Sequence, residues 1–141
     1  MKFWDSSALV PLILVEGESA WARKLLRSDP TGLVWYLSPV EVRSALARRC
    51  GDGALTVEAY EAARRRTERL FQALSHILPL EAVRARALRL LDVHPLRAAD
   101  SLQLASALVA TNDRPQDLPF VTLDRRLADA ARREGFPIEI A

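Results

Sequence analysis

Short apolar runs alternate with longer helical segments along this chain, and that alternation constrains its fold more than any other feature. Strands are predicted at residues 2–4, 33–36, 120–123 and 138–140, with a further short one at 77–78. Helices are predicted between them, at residues 6–15, 18–28, 39–50, 57–76, 81–91, 96–110 and 125–134. Strands separated by helices need crossover connections, which produce a parallel sheet covered by helices on both faces. The pattern therefore predicts an α/β fold, with the helices at 39–50 and 57–76 pairing as a protruding arm.

The length and composition favour one compact domain. The 141 residues show no repeat, low-complexity tract or linker, so we expect a single domain over residues 1–141. No apolar run reaches the roughly 18 residues of a membrane span. The apolar stretch at 8–15 follows an acid and lacks a cleavage site, so we expect a cytoplasmic protein rather than a signal peptide. The single cysteine, Cys50, excludes an internal disulfide and a cysteine-rich zinc site.

The basic residues are unusually biased towards arginine. The chain has 18 arginines and 2 lysines, with a net charge of only +2. Arginine binds phosphate oxygens in a bidentate fashion, which fits a nucleic-acid partner. The same bias fits a genome rich in G and C or a heat-adapted host, and the balanced net charge is a weak electrostatic footprint.

Four acidic residues stand where helices begin. Asp5 directly follows the first strand, and Asp124 directly follows a later one. Glu41 lies three residues after Ser38, the spacing of a capping box, and Asp100 lies in the first turns of its helix. Each acid alone is explained by helix capping, because helix N-termini favour carboxylates.

The four acids together predict more than capping. The carboxyl ends of parallel strands meet at one edge of a sheet, so acids from distant parts of the chain converge there. Asp100 also begins an apolar stripe with Leu104, Ala107, Leu108 and Thr111, which turns it towards the sheet. Crowded carboxylates repel one another unless a cation compensates, and ligation by oxygen alone favours Mg²⁺ or Mn²⁺.

The acid at the end of the first strand therefore has two predicted roles. Asp5 is expected both to cap the following helix and to bind the metal ion. Hydroxyls from Ser6, Ser7 and Thr122 are expected to orient the acids through hydrogen bonds.

Four segments of the chain resemble a known family. The chain is similar to PIN domains of the kind found in the VapC toxins of bacterial and archaeal toxin–antitoxin pairs. The matching segments are residues 3–9 (FWDSSAL), 38–42 (SPVEV), 96–108 (LRAADSLQLASAL) and 120–128 (FVTLDRRLA). Their order and spacing match the family over essentially the whole chain, although the region at about 53–78 is variable in such proteins.

The resemblance implies a fold, a reaction and partners. It implies a three-layer α/β/α fold whose acids bind one or two Mg²⁺ or Mn²⁺ ions and cleave RNA. Asp5, Asp100 and Asp124 correspond to the metal-binding aspartates, and Glu41 corresponds to the fourth acid of the family. The implied partners are an RNA substrate and an antitoxin, which would cover an apolar groove between the helices at 39–50 and 57–76. A homodimer is expected, assembling into a heterotetramer or larger complex with the antitoxin.

The scarcity of histidine also favours metal catalysis. A metal-free ribonuclease needs an acid and a base with pKa near neutrality, usually histidines. Only His76 and His94 are present, and neither lies in an acidic motif. In-line attack by water would leave a 5′-phosphate, with Glu41 either binding a second ion or accepting the proton of the water. Arg97 and Arg43 are candidates for holding the RNA backbone.

Four alternative functions are weighed against the residues of the chain. A receiver-type phosphoryl-transfer domain needs a lysine in the later part of the chain, but the lysines are Lys2 and Lys24. A haloacid-dehalogenase-like phosphatase needs an acid two residues after Asp5, where Ser7 stands instead. A non-catalytic module with an acidic metal-binding cleft is disfavoured only by the presence of all four acids. A dinucleotide enzyme is disfavoured because no GxGxxG motif is present.

Overall fold

The computed structural model describes all 141 residues as seven helices around a five-stranded sheet. The strands are β1 (Lys2–Trp4), β2 (Gly32–Trp35), β3 (Ser75–Ile77), β4 (Phe120–Val121) and β5 (Ile138–Glu139). The helices are α1 (Ser6–Ile13), α2 (Ser19–Ser28), α3 (Ser38–Gly51), α4 (Val57–Gln72), α5 (Glu81–Val93), α6 (Ala98–Ala110) and α7 (Arg125–Arg133). A short 3-10 turn at Pro115–Asp117 was not predicted. None of these helices is both long and apolar enough to cross a membrane.

The sheet is parallel throughout, in the order β3-β2-β1-β4-β5. The chain moves outwards from β1 first to one side and later to the other. In such sheets a crevice opens beyond the carboxyl ends of the central strands, where the direction of winding reverses. The predicted α/β fold with helices on both faces is confirmed.

Alternating side chains of the strands fill two cores. Phe3 and Phe120 lie in the core beneath α5, α6 and α7, where their rings stack with centroids 5.2 Å apart. Trp4 and Val121, the next residue in each strand, lie in the core beneath α1, α2, α3 and α4. Successive residues of a strand point to opposite faces, so two adjacent apolar residues anchor both helical layers.

The predicted boundary between α4 and β3 is wrong. Helix α4 ends at Gln72 rather than at 76, and β3 occupies Ser75–Ile77 rather than 77–78. His76 instead pairs with Val34 of β2, and its Nε2 lies 2.9 Å from the carbonyl oxygen of Phe71. Pairing with β2 overrides the local helical pattern, because without β3 the edge of β2 that faces away from β1 would have no hydrogen-bond partners.

Helices α3 and α4 pack on the sheet rather than project as an arm. Val42 and Leu46 of α3 and Ala63 of α4 are fully buried in the core that contains Trp4 and Leu9. The prediction that these two helices form a protruding arm is therefore wrong along most of their length.

The packing of α3 can be tested with one substitution. Leu46→Ala should lower the free energy of unfolding by about 2–5 kcal/mol, because it opens a cavity at a fully buried position. Leu88→Ala on α5, where the side chain is 60% exposed, should change it by less than about 0.5 kcal/mol. Urea denaturation of both variants measures the difference, and equal effects would contradict the packing described.

Candidate active site

Asp5 lies at the centre of the carboxyl edge, held by several donors. It is 4% exposed and caps α1, with its Oδ2 accepting the backbone N–H of Ser7 at 3.2 Å. The same oxygen accepts the hydroxyls of Ser7 and Thr122, the latter at 2.9 Å. Oδ1 accepts no hydrogen bond from the protein and is not sealed from solvent. One oxygen therefore positions the carboxylate, and the other is left for a ligand.

Two hydroxyls near Asp5 also shape the backbone around it. The Ser7 hydroxyl oxygen accepts the N–H of Leu123 at 2.9 Å, and that of Thr122 accepts the N–H of Asp124 at 3.0 Å. These side chains take over the donors that a longer β4 would have presented to the sheet. Strand β4 consequently ends at Val121, two residues earlier than predicted, and the chain turns so that Asp124 begins α7.

Glu41 is held from α6 rather than by a capping box. Its Oε1 accepts a hydrogen bond from the Gln103 side-chain amide at 3.2 Å. The same amide donates to the hydroxyls of Ser6 at 2.7 Å and Ser38 at 3.1 Å. Leu37, not Ser38, is the residue at the N-cap of α3, and no side chain caps this helix. The predicted capping box is therefore wrong. Ser6 contacts Gln103 and the Glu41 carboxylate rather than Asp5.

Asp100 and Asp124 form the open side of the cleft. Asp124 caps α7, accepting the N–H of Leu127 through Oδ1 at 3.1 Å. Asp100 accepts the N–H of Arg97 through Oδ2 at 3.3 Å. Like Asp5, each of these aspartates keeps one oxygen that accepts no protein hydrogen bond. The cleft between them is lined otherwise by three exposed arginines, Arg97, Arg125 and Arg126.

The four acids influence one another electrostatically. Burial and the neighbouring carboxylates of Asp5 and Asp100 raise the pKa of Glu41 to about 7. Burial raises the pKa of Asp5, with Asp100 adding to the rise and the hydroxyls of Ser7 and Thr122 opposing it. Burial also raises the pKa of Asp100, and Asp124 adds to that rise. Acids from four separate segments are thus brought together at one edge of the sheet.

The chemistry of these donors fits a hard divalent cation. All four groups are carboxylates, and each aspartate presents one oxygen without a protein partner. No three acidic, histidine or cysteine side chains are arranged as a ready-made metal cage. Mg²⁺ keeps most of its waters and is usually bound through one or two carboxylates together with substrate phosphates, so a complete cage is not required.

The remaining candidates from the sequence lie away from the acids. Arg43 lies in the groove between α3 and α4, where it pairs with Glu68 at 3.6 Å, so the prediction that it borders the cleft is wrong. The Nε2 of His94 lies 2.7 Å from the Oε1 of Glu134, and His76 belongs to β3. Gln103, Arg125 and Arg126 were not singled out, although Gln103 is a polar residue one helical turn after Asp100 on the inward face of α6.

Comparison with known proteins identifies the family. The model of the PIN domain family matches residues 2–133. This chain belongs to the PIN-domain family. Ribonucleases VapC45 and VapC49 of Mycobacterium tuberculosis are each 32% identical to this PIN domain over 135 residues, which is 96% of this chain and 92% of each relative.

Solved structures share the fold of this PIN domain. A toxin–antitoxin complex from Klebsiella pneumoniae superposes with a TM-score of 0.68 at 17% identity, covering 99% of this chain and 96% of that one. VapC20 of Mycobacterium tuberculosis, a toxin that cleaves the sarcin–ricin loop, superposes with a TM-score of 0.67 at 19% identity, covering 96% of both chains. The family membership excludes the receiver and phosphatase alternatives.

The raised pKa of Glu41 predicts a pH-dependent stability. Because the folded pKa of about 7 exceeds the ordinary 4.5, stability contributed by the protonated group is present below about pH 4.5 and is lost as pH rises through 7. In EDTA, the thermal midpoint of the wild type should fall more steeply between about pH 5 and about pH 8 than that of Glu41→Gln. Glu58→Gln, which removes an exposed carboxyl of α4, should keep the wild-type slope. Equal slopes for the wild type and Glu41→Gln would contradict the arrangement.

Proposed function

We propose that this PIN domain, spanning residues 1–141, is a Mg²⁺- or Mn²⁺-dependent endoribonuclease and the toxin of a toxin–antitoxin pair. The observation that carries the proposal is the cluster of four carboxylates, three of which keep an oxygen free of protein donors, at the carboxyl edge of the sheet. The relatives named ribonucleases support the choice of reaction. Because the proposed substrate is cellular RNA, the proposed location of the protein is the cytoplasm.

The proposed roles follow from how each acid is held. Asp5, Asp100 and Asp124 would bind the metal ion through the oxygens that accept no protein hydrogen bond. A bound Mg²⁺ or Mn²⁺ lowers the pKa of a coordinated water and neutralises charge on the phosphate. Ser7 and Thr122 hold the Asp5 carboxylate in place, and Ser6 contacts both the Glu41 carboxylate and the amide of Gln103. Glu41, with a pKa of about 7, is suited to accept a proton from the attacking water or to hold a second ion.

The arginines of the cleft supply the positive charge that RNA requires. Arg97, Arg125 and Arg126 line the space beside Asp100 and Asp124, and none of them is in a salt bridge. An unpaired guanidinium group binds phosphate oxygens in a bidentate fashion. These side chains would hold the RNA backbone on either side of the cleaved bond.

A second groove suits an antitoxin. It runs between α1 and α3 beside Glu41, and its apolar lining includes Val10, Val40 and Ala45. The groove between α3 and α4, where the sequence predicts an apolar surface, exposes mainly apolar atoms, although Arg43 and Glu68 also line it. An antitoxin segment lying between α1 and α3 would reach the acids directly. A toxin–antitoxin complex among the structures of the same fold supports this partner. A homodimeric toxin in a heterotetramer or larger assembly with the antitoxin stays a prediction from the family resemblance.

Metal-dependent cleavage separates the ligand role of Asp100 from its role at the start of α6. Asp100→Asn keeps an oxygen that accepts the N–H of Arg97 but loses the charge that Mg²⁺ requires. We expect the variant to change the free energy of unfolding by less than about 1 kcal/mol and to lose cleavage of a structured RNA. Asp117→Asn, an exposed acid of the 3-10 turn, is the matched control with full activity. Wild-type cleavage should require Mn²⁺ or Mg²⁺, stop with EDTA and leave 5′-phosphates.

Two results would overturn the proposed reaction. Cleavage that is indifferent to EDTA, or that leaves 2′,3′-cyclic phosphates, would exclude hydrolysis by a metal-activated water. Full activity in Asp100→Asn would show that Asp100 is structural. A protein that binds Mn²⁺ but cuts no RNA would favour the non-catalytic metal-binding alternative.

Expression in cells tests the biological role. Induction of the wild-type chain alone should arrest growth, while Asp100→Asn made at the same level should not. Co-expression of the small protein encoded next to this gene should restore growth and should co-purify with the chain. Normal growth with abundant folded wild-type protein would contradict a toxin.

A further inference from the structure

Gln103 is the largest fully buried polar side chain near the acids, and it has no direct part in the proposed reaction. It lies on α6 with 0% of its surface exposed, one turn after Asp100. Its amide nitrogen has three acceptors within hydrogen-bond distance, the hydroxyls of Ser6 and Ser38 and the Oε1 of Glu41. These acceptors lie 97, 65 and 62 residues away along the chain.

Packing alone does not explain this side chain. The amide nitrogen carries two N–H groups but faces three acceptors. The amide oxygen is buried and has no hydrogen-bond partner, which costs free energy that an apolar side chain of the same size would avoid. A buried polar group that is only partly satisfied therefore points to a demand other than stability.

The positions of the three acceptors indicate what that demand is. Ser6 directly follows Asp5, and Ser38 lies one turn before Glu41 on α3. Gln103 itself lies one turn after Asp100 on α6. A single amide thus joins the three segments that carry Asp5, Glu41 and Asp100. No side chain caps α3, so Glu41 is held by side-chain hydrogen bonds from Gln103 and from Ser6, which itself accepts from the Gln103 amide.

We propose that Gln103 is the positioning residue of this site. Its amide holds the Glu41 carboxylate towards Asp5 and Asp100 and sets the spacing of these three acids in the site. A donor is needed there because the ionised Glu41 carboxylate only accepts hydrogen bonds, whereas the hydroxyls of Ser6 and Ser38 can either donate or accept. The inference rests on the proposed function, since it concerns how the same acids are arranged.

The test compares two substitutions that differ in one donor. Gln103→Met keeps the length and volume of the side chain but has no N–H. Gln103→His places a ring Nε2 the same number of bonds from Cβ as the amide nitrogen. We expect Gln103→Met to weaken Mn²⁺ binding or lower kcat by about 10- to 100-fold, as for other groups that orient metal ligands. The KM for RNA should stay near the wild-type value, because the arginines are untouched, and Gln103→His should restore most of the loss.

Mn²⁺ affinity measured by titration calorimetry without RNA gives a readout independent of cleavage. Ser106→Ala is the matched control, because this equally buried hydroxyl of α6 bonds only the backbone carbonyl of Gln103 at 2.8 Å. It should lower the thermal midpoint while leaving Mn²⁺ affinity and kcat unchanged. If Gln103→Met does not fold, Gln103→Leu replaces it in the same comparison with Gln103→His.

The outcomes separate this inference from the proposed function. Wild-type Mn²⁺ affinity and kcat in Gln103→Met, or equal losses in Gln103→Met and Gln103→His, would overturn the role of Gln103 alone. A wild-type protein that neither binds Mn²⁺ nor cuts RNA would overturn the proposed function and this inference with it.

Discussion

Repulsion among four carboxylates at one edge of a parallel sheet is the constraint that organises much of this structure. Burial raises the pKa values of Asp5, Glu41 and Asp100, and the neighbouring acids add to each rise. Such a cluster is unfavourable in an empty protein, and donors around it offset part of the cost. Hydroxyls hold Asp5, an amide holds Glu41, and the N-terminal backbone of α7 holds Asp124. The part of the repulsion that these donors do not offset would be relieved when a cation binds to the carboxylates.

The sheet decides which acids meet. Trp4 of β1 pairs with Val121 of β4, so the residues that follow, Asp5 and Thr122, lie side by side and form a hydrogen bond. On the other side of β1, strand β2 leads to α3 and Glu41. Helix α6, which covers the opposite face of the sheet, brings Asp100 to the same edge. The cleft therefore lies where the winding of the sheet reverses, the position at which open parallel sheets bind ligands.

The core beneath the acids contains a polar side chain that positions the site at a cost in stability. Helix α6 is nearly all apolar on its inward face, yet Gln103 and Ser106 are fully buried within it. Ser106 is satisfied within its own helix, whereas Gln103 reaches across to α1 and α3 and leaves its own oxygen without a partner. Natural proteins depart from well-satisfied cores mainly at functional sites. This polar group connects the core to the cleft.

What the sequence by itself determined is local. The alternation of strands and helices, the start of α1 at Asp5 and the start of α7 at Asp124 follow from hydrophobic period and capping, which act within a few residues. The convergence of the acids was also predictable from the sequence, because the carboxyl ends of parallel strands meet at one edge of the sheet. Tertiary structure alone decided three contacts. Ser38 accepts a hydrogen bond from Gln103 instead of capping α3, and Arg43 pairs with Glu68 away from the cleft. His76 lies in β3, where it pairs with Val34 of β2. These contacts join residues far apart in sequence or on different elements, and local patterns do not encode which distant partner a polar group finds once the helices pack.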